Sequence, residues 1–215
     1  MTEPDPSRLV KPPQSRDGIG VSAVYLEPGE AWGRPAGQVY AKRQRAYYCR
    51  PVWRLFRRTP TLRRELRALQ ACRARGIPVP DIVAYHESGP EAELVVEAVR
   101  DGRSLIEALA EPGADRGRIL DRSGALVGRL HRAGWVHGAL YPQHLLVGPG
   151  PDYPVTLIDL EKARRNPLKR RTDLARLQRY LAPHLRDDEA DRLEAAYGAA
   201  LHGTGSDDRE PGHSP

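Results

Sequence analysis

LHRAGWVHGALYPQHLLVGPGPDYPVTLIDLE, from Leu130 to Glu161, is the stretch whose reading decides the fold. A helix ends at Leu130-His131, and Gly134 follows as a stop signal. An apolar pair then leads to His137-Gly138. A short apolar run spans Leu145 to Val147, and a second spans Val155 to Ile158, with Gly, Pro and Asp between them. Two such runs joined by turn residues predict a β-hairpin. His144 stands just before the first strand, and Asp159 emerges just after the second. Both polar groups are therefore expected at one end of one hairpin, as a metal or phosphate site requires.

The rest of the chain sets the frame. Its 215 residues suffice for one compact unit or two small lobes with a real core. A hydrophobic share of 40% and a charged share of 29% are globular values. No apolar run is long enough to span a bilayer. The opening residues lack the apolar core of a signal peptide. Cys49 and Cys72 suit reduced thiols better than a disulfide frame. These features predict a cytoplasmic protein. Residues 1–16 and 203–215 are polar and rich in Pro or Gly, and are expected to be a disordered lead and tail.

The net charge of +6 is unevenly spread. Twelve Lys/Arg stand against Glu65 alone between Lys42 and Arg75, and eight stand against Asp173 alone between Lys162 and Arg179. Such runs attract phosphate groups on lipids, sugars or nucleic acid, or simply form a solvated basic surface. In the first run Tyr47, Tyr48, Trp53 and Phe56 interleave with the arginines at 50, 54, 57, 58, 63 and 64. That pattern suits an anionic membrane surface or glycolipid, and equally a core lined by surface arginines.

Residues 17–99 read as a small β-rich lobe with one main helix. Val39 and Ala41 alternate with Tyr40 and Lys42, a period of two that puts Lys42 on a strand face. Thr59-Pro60 predicts the start of a helix with Leu62, Leu66, Leu69 and Cys72 as its buried stripe. Glu65 lies beside that stripe. Strands are expected within the stretches 77–85 and 93–99. Residues 100–202 read as mostly helical, with amphipathic segments at 119–133, 173–185 and 188–201 around the hairpin. The fold class is α+β in two lobes.

Phosphoryl transfer needs positive charge on the phosphates, a held metal and a group that orients the attacking hydroxyl. A strand lysine, a helix glutamate and an aspartate after a strand can meet the first two needs. Taken singly, Lys42 reads as a surface lysine, Glu65 as an ion pair one helical turn long, and His137 as a structural hydrogen bonder. Their order along the chain is what makes them candidates together.

Several stretches carry a family resemblance: Val39 to Arg43, Arg63 to Glu65 with Gly76 to Pro80, His137 to His144, Ile158 to Arg165, and Asp173 to Tyr180. Over most of residues 20–200 the chain resembles the InaA branch of the lipopolysaccharide-kinase family, which includes heptose and Kdo kinases. The resemblance implies a two-lobed protein-kinase-like fold, ATP, magnesium, and a sugar hydroxyl of lipopolysaccharide as acceptor. It makes Lys42, Glu65, Asp159 and His144 the nucleotide-site residues, with Asp159 and His144 on the metal. It also marks a departure: Ala139 stands where such kinases carry the catalytic Asp. His137, Tyr141 and Glu161 are the candidate substitutes. No glycine-rich phosphate loop is recognisable in residues 18–38.

Three readings follow. One is a phosphotransferase, weak for want of the Asp, acting on a cell-envelope glycolipid sugar or related metabolite. It would work in the cytoplasm or peripherally on the inner face of the inner membrane. The second is a pseudokinase that binds nucleotide as a regulator or scaffold. The third, a nucleic-acid-binding module, has charge in its favour but no reading element, so nucleic acid is not expected as a partner.

Overall fold

The computed structural model describes residues 5–16, 20–34, 36–49 and 59–203. The chain divides between Arg100 and Asp101 into two units, and the short segment Ile158–Ala163 belongs with the first.

The first unit is built on a five-stranded antiparallel sheet in the order β1-β2-β3-β7-β6. Its strands β1 (Leu9–Arg16), β2 (Gly20–Pro28) and β3 (Gln38–Arg45) follow in sequence. A two-residue ladder of β4 (Tyr48–Cys49) and β5 (Thr59–Pro60) leads into helix α1 (Thr61–Arg73). Strands β6 (Ile82–Ser88) and β7 (Glu91–Glu97) complete the sheet as a hairpin. Residues 9–16, expected within a disordered lead, instead form the edge strand β1. Pro12 and Pro13 lack an N–H to donate, and the β1–β2 register slips between Lys11 and Gln14, around them. An edge strand tolerates this because one side of its backbone needs no partner. The residues at 204–215 lie outside the described ones.

Val39 and Ala41 point to the sheet face opposite Lys42, where they are fully buried with Val95 among Tyr25, Trp32, Val83 and Ala84. At the end of that face Arg43 donates to Glu93 at 2.6 Å and to Glu27 at 2.8 Å, tying β3 to both neighbours. Lys42 lies on the other face. The helix α1 starts at Thr61, one residue later than the Thr59-Pro60 signal suggests. Pro60 takes the N-cap position without a side-chain hydrogen bond, and the Thr61 hydroxyl donates to Gln44 Oε1 at 2.6 Å. The stripe is also rotated from the expected one: Leu62, Leu69 and Cys72 are buried, but so is Glu65, while Leu66 is half-buried.

The second unit holds β8 (Arg103–Ser104), α2 (Leu105–Ala110), α3 (Arg116–Arg132), β9 (Trp135–Val136), β10 (Leu145–Val147), β11 (Val155–Leu157), β12 (Arg164–Arg165), α4 (Arg170–Leu181) and α5 (Glu189–His202). Ser104 and Glu107 close a capping box at the start of α2. The predicted hairpin is β10–β11, with Leu145 opposite Leu157 and β8 on its outer edge. Helix α3 lies on α5 at Gly124 and Gly128. A Cβ on Gly128 would stand 2.5 Å from the Tyr197 carbonyl, so the two helices approach this closely only because both positions lack a side chain.

Candidate active site

The first unit gathers three of the predicted groups. Strand β3 presents Lys42 to α1, and its Nζ lies 2.5 Å from Glu65 Oε1. Nζ also lies 3.9 Å from Asp159 Oδ1. The Lys42 and Glu65 side chains are 18% and 3% exposed, and that of Asp159 is 32% exposed. Arg64, next to Glu65 on α1, donates from Nε to the Glu161 carbonyl at 2.5 Å, which ties the Ile158–Ala163 segment to the helix. Leu160 of that segment is fully buried.

Asp159 has φ 60° and ψ 56°. An L-residue enters this left-handed region at a cost, although Asp does so more readily than most. The backbone turns here immediately after β11, and the carboxylate is delivered toward Lys42 instead of continuing the strand.

Burial works against the charge on Lys42. The carboxylates of Glu65, Asp159 and Glu161 outweigh it and hold its pKa above the ordinary lysine value. Burial pushes the Glu65 carboxyl up, Lys42 opposes this, and the negative charge of Asp159 and Glu161 adds to the rise. Since one ammonium faces three acids, we take Lys42 as charged. Glu65 Oε2 is buried with no hydrogen-bond partner among the described residues, so one lone-pair site in the cluster is unsatisfied. A charged lysine beside a partly exposed carboxylate fits a phosphate and a divalent ion. Magnesium commonly takes one or two protein carboxylates and completes its shell with phosphate oxygens and water. No cluster of three or more His, Cys, Asp or Glu side chains able to hold a metal occurs among the described residues.

The second unit holds the loop from His137 to His144. His137 is fully buried, and its ring stacks on that of His144 with centroids 5.1 Å apart. Nδ1 of His144 lies 2.8 Å from the Ala139 carbonyl; as that oxygen can only accept, Nδ1 is the donor. This hydrogen bond commits one ring nitrogen to the loop, which weighs against the nitrogen as a metal ligand. Ala139 is buried, and its methyl group offers no oxygen. Tyr141 is half-buried between the rings of His144 and Tyr180, with the Arg176 guanidinium 5.8 Å from its centroid. Asp159 and Glu161 belong to the first unit, His137, Ala139, Tyr141 and His144 to the second.

The residue that orders this loop is Asp173, which the site prediction leaves out. From the first turn of α4 it accepts the backbone N–H of His137 at 2.6 Å and that of Gly138 at 3.0 Å. His131 Nε2 lies 3.4 Å from the same carboxylate, and His131 Nδ1 lies 3.0 Å from the Tyr197 hydroxyl. Arg176 donates to the Gly138 carbonyl at 3.0 Å. Burial would raise the Asp173 pKa, but the hydrogen bonds from His131 and from the His137 backbone reverse this and hold it below the usual carboxylate value. A signal existed: Asp173 is the lone acid in a run of eight cations and precedes the buried Leu174. A cavity of about 490 Å³ opens elsewhere in the second unit, between Arg103, Glu111, Val147 and Tyr153, and no predicted site residue lines it.

The family model described as lipopolysaccharide kinase (Kdo/WaaP) matches residues 6–197. The chain belongs to the lipopolysaccharide kinase (Kdo/WaaP) family. No curated protein matches this Kdo/WaaP-family chain. Among solved structures it is similar to an aminoglycoside-3'-phosphotransferase of type VIII, with a TM-score of 0.61 at 21% identity. The likeness covers 93% of this chain and 88% of the other. It shows the fold: the Kdo/WaaP-family chain is protein-kinase-like, with a β-rich N-terminal unit and a mostly helical C-terminal one.

Proposed function

We propose that the chain is an ATP-dependent phosphotransferase that modifies a sugar hydroxyl of a cell-envelope glycolipid or a related metabolite, and does so slowly. The observation that carries this is the meeting of Lys42, Glu65 and Asp159 inside the first unit of a kinase-family chain. Lys42 would bind the phosphates, Glu65 would hold its ammonium in place, and Asp159 would hold magnesium. When bound, the metal supplies positive charge to the phosphate oxygens. Phosphoryl transfer has a loose transition state, so positioning and charge contribute most of the catalysis.

The slowness follows from Ala139. A general base contributes about 10²- to 10⁴-fold, and a methyl group contributes none of it. His137, the imidazole among the candidate substitutes, is fully buried and held through its backbone by Asp173. These observations also favour the second reading, a pseudokinase in which nucleotide binding survives and transfer does not. One assay separates the two: purified protein with magnesium-ATP and lipopolysaccharide core fragments, wild type against Ala139→Asp. Restoring the acid is expected to raise transfer by roughly 10²-fold or more. If Ala139→Asp transfers nothing while still binding ATP, the pseudokinase reading stands; if the wild type turns over at about 1–100 s⁻¹ and Ala139→Asp slows it, the role given to Ala139 is wrong. No helix among the described residues is long and apolar enough to cross a membrane. Cytoplasmic action, or peripheral action at the inner membrane, is part of the proposal.

A further inference from the structure

Between β12 and α4 the chain forms a short tip, Asn166 to Lys169, that carries Leu168. This leucine is 91% exposed, more than any other large apolar side chain among the described residues. The leucines of α4 itself, Leu174, Leu177 and Leu181, are buried. Five of the eight residues from Arg164 to Arg171 are Lys or Arg, and none is acidic. Arg164, Arg165, Lys169 and Arg171 are exposed, and no carboxylate pairs with Arg165, Lys169 or Arg171 among the described residues.

A lone surface leucine needs no explanation by itself. This one differs because the backbone holds it out. On one side, β12 is paired to β9, with Arg164 opposite Val136 and Arg165 opposite Trp135. The Asn166 N–H donates to the Gly134 carbonyl at 3.2 Å, and the Lys169 N–H donates to the Asn166 carbonyl at 3.1 Å. Pro167 fixes its own φ. On the other side α4 begins at Arg170. The tip is thus a short, braced projection with an apolar end and a cationic collar.

We propose that this tip docks the protein on an anionic lipid bilayer, with Leu168 entering the acyl boundary and the collar of Arg165, Lys169 and Arg171 meeting the headgroup phosphates. Charge alone would suit any polyphosphate surface, nucleic acid included. The leucine decides between them, because a bilayer offers an apolar layer just beneath its phosphates and a nucleic-acid backbone does not. Each cation near an anionic leaflet adds a modest attraction, and burying one leucine adds a comparable one, so the docking is reversible. The tip leads directly into the first turn of α4, where Asp173 holds the backbone of His137 and Gly138. Docking would therefore set that loop close to the lipid surface. The inference goes beyond the transferase reading and does not depend on it.

The test is co-sedimentation of the full-length protein with vesicles. One set is phosphatidylcholine alone, and the other is equal parts phosphatidylcholine and phosphatidylglycerol, at low and high salt, with duplex DNA as competitor. Binding is expected on the anionic vesicles only, and weaker in high salt. Leu168→Ser should weaken it roughly tenfold or more, and the pair Arg165→Glu with Lys169→Glu should remove it. Both variants alter exposed side chains, and unchanged thermal unfolding confirms that they fold. ATP binding, read separately by titration, should be the same in all of them. Absence of binding to anionic vesicles overturns the proposal, as does binding that Leu168→Ser leaves intact. DNA binding that displaces the vesicles and is indifferent to Leu168→Ser overturns it too, and assigns the cations to nucleic acid.

Discussion

Asp173 does at the residue scale what no motif announces. Its two carboxylate oxygens take up two consecutive backbone N–H groups, at His137 and Gly138, just ahead of Ala139. Deleting the carboxylate strands both donors in a buried place, at about 1–3 kcal/mol for each group left unsatisfied. Asp173→Ala is therefore expected to lower stability by several kcal/mol, read by denaturant unfolding. Asp173→Asn keeps one acceptor oxygen and should lose less, while its amide nitrogen cannot accept the second N–H. Equal losses in the two variants would mean that the backbone hydrogen bonds matter less than bulk. Its place as the lone acid of a basic run marked the residue, but its role was hidden from a sequence reading because its partners lie 36 and 35 positions earlier and are main-chain atoms, which carry no side-chain signature.

Between elements, the approach of α3 to α5 rests on the pair Gly124 and Gly128. Gly128→Ala places a methyl group 2.5 Å from the Tyr197 carbonyl, and Ala200 Cβ at 2.8 Å leaves no side room. Overpacking of this kind typically costs about 1–3 kcal/mol, although Ala favours a helix over Gly by up to about 1 kcal/mol. A net loss of stability is expected in thermal unfolding, and a gain would show that the helices can part freely. Tyr197 also bonds His131, so the variant should disturb the neighbourhood of Asp173 as well. Much at this scale was legible in the chain. The alternation at Val39 and Ala41, the two apolar runs of the hairpin and the stripes of α4 and α5 each obey one period. What failed to show has a reason in each case. Strand β1 carries two prolines that argue against a strand. The period of α1 fits Leu66 as well as Glu65, and only a partner on β3 makes the buried position acidic. The helical glycines read as neutral until the opposing backbone is known. Most of the aromatic and basic connector falls at 50–58, outside the described residues.

For the whole molecule, acid sensitivity follows from carboxylates whose pKa values folding lowers. Glu189 is gripped by Arg116 through both oxygens and accepts the Arg186 N–H, and these bonds bring its pKa from 4.5 down to about 2. Asp173 is lowered as well. A lowered group binds its proton less readily when folded, so its stability contribution is present above the unfolded pKa and is lost as pH falls through the folded one. Glu65, raised by burial, has the opposite sign and loses stability as pH rises past its unfolded value. Unfolding measured between about pH 5 and pH 2 should show stability falling with pH, and Glu189→Gln should flatten that slope. An unchanged slope would remove Glu189 from the account. The central claim is that Lys42, Glu65 and Asp159 form a nucleotide and metal site, and calorimetric titration with ATP, with and without magnesium, tests it most directly. Wild type should bind ATP more tightly with magnesium, and Asp159→Ala, folded to the same thermal midpoint, should lose that magnesium dependence. Wild type that binds no ATP, or Asp159→Ala with an unaltered response to magnesium, would contradict it.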